Sequence, residues 1–168
     1  SIQSTIATTE CPLAFTEVVQ GSTFSPSVRC LACRGILTGY SGGSFKPNDT
    51  ATRGQVSKVV AIAAGFAEPV GGQLLEDVLP GSTFYDYVQR LASRGYIAGY
   101  PCGGIGEPCG WGNLPYFRAP NKVTRGQTSK IVANAAGLSN SIPAGIQKFT
   151  EVPEGRTYTL ICARRVLY

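Results

Sequence analysis

The sequence contains no histidine and no methionine, has one tryptophan, and carries few charges, with 15% of its 168 residues Asp, Glu, Lys or Arg. Each shortage removes a class of function. Without histidine, no side chain titrates near neutrality in its unperturbed state, which excludes His-dependent acid–base and nucleophilic catalysis. No Gly-x-Ser-x-Gly elbow and no Gly-Lys-Ser/Thr phosphate loop occurs, and Gly103-Gly104-Ile105-Gly106 reads as a turn. The ten carboxylates are scattered rather than paired for general acid–base work. The chain therefore reads as no enzyme, with no cofactor and no metal. A net charge of +5 without a basic stripe argues against nucleic acid, while mildly favouring acidic partners such as anionic glycans. No apolar run approaches the ~18 residues of a membrane span, since the longest candidate, Val59 to Ala67, is interrupted by Gly65. Lacking methionine, the chain does not start at a translation start, so Ser1 is read as a product of processing or as a chosen boundary.

What is present points to a turn-rich globular protein of an oxidising compartment. Hydrophobic residues make up 43% of the chain, alongside 21 glycines and 11 prolines. Six cysteines in a chain with no membrane segment suggest disulfides and an oxidising compartment. Cys102 and Cys109 flank a Gly/Pro loop with no other visible means of holding a shape, and a bond between them would close it. Cys11, Cys30, Cys33 and Cys162 allow three pairings. Cys30-Leu31-Ala32-Cys33 lacks the strand–helix–strand setting of a redox motif, and the absence of histidine disfavours zinc.

One passage is written three times. Phe15-Thr16-Glu17-Val18 with Gly21-Ser22-Thr23-Phe24 returns as Leu75-Glu76-Asp77-Val78 with Gly81-Ser82-Thr83-Phe84. It returns again as Phe149-Thr150-Glu151-Val152 with Gly155-Arg156-Thr157-Tyr158. Arg34-Gly35-Ile36-Leu37-Thr38-Gly39-Tyr40 matches Arg94-Gly95-Tyr96-Ile97-Ala98-Gly99-Tyr100, and Thr52-Arg53-Gly54-Gln55 matches Thr124-Arg125-Gly126-Gln127. This is a repeat array, in which each unit needs neighbours to bury its apolar face. We divide it into an extended segment 1–14, a first repeat 15–70, a second 71–146 and a partial third 147–168. Glu17, Asp77 and Glu151 hold the same repeated position, which marks them as structural.

Within a repeat the local signals give helix, loop, helix. Val28, Leu31 and Ala32, like Val88, Leu91 and Ala92, recur at helical spacing after the Gly-Ser-Thr turn, and Pro26 suits a first helical turn. Ile36–Tyr40 and Tyr96–Tyr100 then read as short extended pieces. Thr52 and Thr124 open the second helix as N-caps, with Gln55 and Gln127 three residues on completing a capping box. Gly65 and Gly137 end it.

These residues, with Phe45-Lys46-Pro47 and the Thr-Arg-Gly-Gln motifs, resemble the S-layer homology (SLH) repeat over Phe15 to about Leu138, plus part of a third copy. The second copy, with its Cys102–Cys109 loop and Pro115-Tyr116-Phe117-Arg118-Ala119-Pro120, resembles the long-loop variant of filamentous green bacteria. The resemblance implies a mainly α fold, with helix–loop–helix repeats packed around a pseudo-threefold helical core, short strands and disulfide-closed loops. It also implies contact with anionic cell-surface polysaccharide. The family's Thr-Arg-Ala-Glu stands here as Thr-Arg-Gly-Gln, which keeps Arg53 and Arg125 as glycan ligands beside a groove. The alternative is that these arginines cover the helix start or pair with an acid. Tyr40 and Tyr100 read either as sugar-stacking surfaces in the same groove or as core.

Three expectations concern the ends and the surface. Cys11 and Cys162 are each expected to bond one of Cys30 and Cys33, by proximity in the repeat array. Asn48-Asp49-Thr50 is a glycosylation sequon in a turn, so Asn48 should be exposed. The alternating β-branched stretch Ile2 to Thr8 reads as a linker or as a strand lent to a neighbour; in the second case copies join head-to-tail in a filament or layer.

Overall fold

A computed structural model describes residues 15–138, which hold four helices: α1 Ser25–Cys33, α2 Arg53–Ala63, α3 Tyr85–Ser93 and α4 Arg125–Ala135. The two copies fold alike. α1 and α3 follow Phe24 and Phe84 and stop at Arg34 and Arg94, with no side-chain cap at either start and with Pro26 in the first turn of α1. α2 and α4 both carry the full capping box. The Thr52 hydroxyl accepts from the Gln55 N–H while the Gln55 side chain accepts from the Thr52 N–H, and Thr124 and Gln127 repeat the exchange.

Both second helices end in the same way. Gly65 and Gly137 take left-handed backbone (φ 70° and 67°), which lets Phe66 and Leu138 donate back to the carbonyls of Ala61 and Ala133. The extended pieces expected after α1 and α3 do not become strands. Pairing among the described residues is confined to isolated bridges, such as Tyr100 with Tyr116 and Thr52 with Lys122. Arg118, two residues beyond the Tyr100–Tyr116 bridge, adopts positive φ (60°) and turns the chain away, and Lys46 at the equivalent place of the first repeat does the same (55°).

The chain divides into two compact units at Asp49–Thr50, so α2 belongs with the second repeat's helices rather than ending the first unit. In the first unit Phe15, Val28 and Ala32 are buried, flanked by Val18, Leu37 and Phe45, with the rings of Phe15 and Phe45 5.2 Å apart. In the second, Ala61, Leu75, Val78, Val88, Leu91 and Phe117 are fully enclosed, and α2 packs on α3 and α4. Each of the larger of these side chains contributes on the order of 1.5–3 kcal/mol by leaving water. Glycine at position 54 makes the α2–α3 contact close. A Cβ there would lie 2.5–2.8 Å from the ring carbons of Phe84, so the ring seats on bare backbone. Among the described residues no helix is long and apolar enough to cross a membrane. The partial third repeat, and with it any threefold packing of first helices, lies outside the described residues.

Candidate functional site: the start of α2 and the second-repeat loop

The site is built on the loop between Tyr100 and Arg118. Its base is the Tyr100–Tyr116 bridge, in which each N–H donates to the other carbonyl at 2.8 Å. The excursion between them is closed by the Cys102–Cys109 disulfide, with Cα atoms 5.0 Å apart. The Tyr116 hydroxyl donates to the Pro108 carbonyl at 2.9 Å. Partial burial and the nearby carboxylates of Glu76, Glu107 and Asp77 raise this phenol above its ordinary range. Arg118 forks onto both oxygens of Glu107 at 2.7 and 2.8 Å. The bonds from Arg118 hold the Glu107 carboxyl below the usual glutamate value and raise the guanidinium in return.

Asp77 fixes the far end of the loop. Its two oxygens accept from the N–H groups of Phe117 and Arg118, each at 2.6 Å. The repeated acid is therefore a loop anchor, as its position in the repeat suggested. Glu17 does the same in the first unit, accepting from Phe45 N–H at 3.2 Å. The two loops share further detail, with Lys46 stacked over Tyr40 at 5.0 Å and Arg118 over Tyr100 at 4.1 Å.

Into the second loop goes the first turn of α2. Backbone N–H groups of Arg53 and Gly54 donate to Asn121 and Ala119 carbonyls at 2.7 and 2.9 Å. The Arg53 side chain, 8% exposed, follows them inward. Its Nε donates to the Phe117 carbonyl at 2.7 Å and Nη2 to the Ala98 carbonyl at 3.0 Å. The guanidinium lies 4.5 Å from the Phe117 ring centroid and 5.3 Å from that of Tyr100. Burial lowers its pKa, opposed by Tyr100 and Asp77. This is a cation held by carbonyls, rings and a nearby acid.

The residues singled out in the sequence thus separate. Arg53 and Tyr100 come together, with Arg53 turned into the protein and Tyr100 half-buried between two guanidinium groups. Arg125, its repeat mate, is exposed at the start of α4, and Tyr40 is also exposed. Asn48 is exposed in its turn. Cys33 is disulfide-bonded, whereas Cys30 is a free, exposed thiol. Cys30 sits on the solvent side of α1 and meets no second sulfur among the described residues. Cys11 and Cys162 lie outside the described residues, as does the segment Ile2 to Thr8. No metal-holding group of three or more Cys, Asp or Glu side chains occurs among the described residues.

Sequence reading missed the roles of Arg118, Glu107 and Phe117. Their signal was the shared interval of Phe45 to Thr52 and Phe117 to Thr124, which aligns Lys46 with Arg118 without a gap.

Comparison with known proteins agrees with this repeat structure. The S-layer homology domain model matches residues 17–57. Cell surface glycoprotein 1 of Acetivibrio thermocellus is 25% identical over 65% of this chain, and the match spans 5% of that protein's length. Residues 17–57 match the S-layer homology domain and their main features recur in the second repeat, so the chain is similar to S-layer homology domain proteins over both.

Proposed function

We propose that this chain is a non-catalytic, extracellular structural module of the cell surface that contacts anionic polysaccharide. The observation that carries the reading is the fate of the Thr-Arg-Gly-Gln motifs. In one copy the arginine is spent on joining α2 to the next loop, which is a scaffold function. In the other, Arg125 stands exposed at a helix start, where a guanidinium and free backbone N–H groups suit a carboxylate or phosphate. S-layer homology domains in general bind cell-wall polysaccharide. Tyr40 and Tyr100 offer ring surface for sugar in the same kind of groove. In this reading the third repeat completes a pseudo-threefold core. The disulfide-closed loop at 101–115 supports a likeness of the second repeat to the long-loop variant of filamentous green bacteria.

Sedimentation with purified wall polysaccharide tests the proposal. Arg125→Ala should lower the bound fraction about tenfold, the loss of one charge-assisted contact. Unchanged binding assigns Arg125 to another role and removes the glycan reading.

A second reading is that the chain is a self-assembling subunit of a surface layer or filament. It is favoured by one asymmetry: Phe84 is seated on Gly54, while its repeat mate Phe24 is 57% exposed.

A further inference from the structure

The molecule contains one docking site that is filled, and it serves as a template for another. In the second unit, the loop anchored by Asp77 receives the first turn of α2 through the carbonyls of Ala98, Phe117, Ala119 and Asn121. Beside it, the Phe84 ring meets Gly54. The repeat places Thr38 at the position of Ala98 and, past the longer loop of the second unit, Phe45, Pro47 and Asp49 at those of Phe117, Ala119 and Asn121, with Phe24 as the corresponding ring.

That unit is preformed in the same shape. Glu17 anchors Phe45 N–H, Lys46 takes the same positive φ as Arg118, and Asp49 N–H donates to the Lys46 carbonyl at 3.1 Å as Asn121 does to Arg118 at 2.9 Å. Among the described residues, no donor reaches the carbonyls of Thr38, Phe45, Pro47 or Asp49. Aromatic surface is bare at Phe24. The missing occupant is therefore specified: a helix start with arginine followed by glycine.

The chain carries such a start at α4. Its capping box is formed, and Arg125 is exposed with no hydrogen bond or ion pair among the described residues. We propose that the first unit of one molecule docks the α4 start of a second copy. Arg125 then enters beside Phe45 with Glu17 close by, and Gly126 lies under Phe24. Socket and insert sit on different parts of one chain, so the contact is heterologous and adds copies head-to-tail. The proposal rests on the self-assembly reading and supplies its two mating surfaces.

Complementation tests it, with the whole chain and in the absence of polysaccharide, so that wall binding and assembly are scored separately. Sedimentation velocity over a concentration series should show growing oligomers for the intact chain. Phe24→Ala, which spoils the socket, and Arg125→Glu, which spoils the insert at an exposed position, should each remain monomeric. Mixed one to one, they should form a dimer and stop there, because one intact socket meets one intact insert. Should Phe24→Ala lose the circular dichroism of the parent, Phe24→Leu takes its place. A monomeric intact chain, either variant assembling like the parent, or a mixture that stays monomeric overturns the proposal, whatever the wall-binding result.

Discussion

The starts of α2 and α4 carry the same four residues, the same capping box and the same arginine, yet one arginine is buried and the other is in solvent. The motif itself is indifferent to this outcome. Capping is a local matter of a threonine hydroxyl and a glutamine amide three residues apart, and it is satisfied in both places. What decides the arginine's fate is whether a loop of the Phe117–Asn121 type lies across the helix start. A repeat protein can thus use one sequence element as internal mortar in one place and as an outward-facing group in another.

The comparison is broken most sharply by removing each arginine. Arg53→Ala strands the buried Phe117 carbonyl, removes the bond to Ala98 and takes the guanidinium from beside two rings, so it should lower unfolding stability by about 3 kcal/mol. Arg125→Ala should stay within about 0.5 kcal/mol of the parent, as exposed substitutions do. Urea denaturation of both variants measures this, and equal effects would refute the difference in environment.

The disulfide gives the next contrast, since residues 41–43 of the first unit occupy the place of 101–115 in the second. Replacing Cys102 and Cys109 by serine should cost about 2.5 kcal/mol by the chain-entropy relation for a loop of this separation, 7 residues. The loss should fall on the second unit, read as increased amide exchange at Phe117 and Arg118, with Phe45 unaffected.

Gly54→Ala probes the seat under Phe84. A methyl group within 3 Å of three ring carbons forces the ring to move, and overpacking of this kind typically costs about 1–3 kcal/mol. Combined with Phe84→Leu, the penalty should shrink, giving a coupling energy of at least about 0.5 kcal/mol in a double-mutant cycle. Strict additivity would show that the contact does not form.

How much of this was readable beforehand follows from the range of each interaction. The helices, their capping boxes and their glycine stops depend on residues within one turn of each other, and the sequence spacing expressed them. The Cys102–Cys109 bond is nearly as local. The repeated acid at Glu17 and Asp77 announced a structural role, but its partners lie 28 and 40 residues away and carry no mark of their own. Arg53 was harder still, because its acceptors are backbone carbonyls, which every residue possesses. The same holds for Gly54, whose neighbour Phe84 could be recognised as a repeated letter without revealing what it touches.

The smallest effect expected is acid titration of the long loop, and here the two units differ because, among the described residues, an acid faces the loop cation in the second alone. Arg118 donates two bonds to Glu107, while Lys46 in the equivalent place stacks on Tyr40. The bonds from Arg118 hold the Glu107 carboxyl below its ordinary value, so the folded-state pKa lies under the unfolded one. For a depressed carboxyl, the stabilisation is present above the unfolded pKa and is lost as pH falls through the folded pKa. Loop order should therefore be constant from neutrality down to the ordinary glutamate range and decline only on further acidification. An exposed pair of this kind contributes little, and added salt should weaken it. Carboxyl-carbon chemical shifts followed through an acid titration measure the Glu107 midpoint directly. Arg118→Gln should return that midpoint to the ordinary range, while Lys46→Gln should leave it where it was. A midpoint at or above the ordinary value in the parent would mean that the Arg118–Glu107 fork is not what braces this loop in solution.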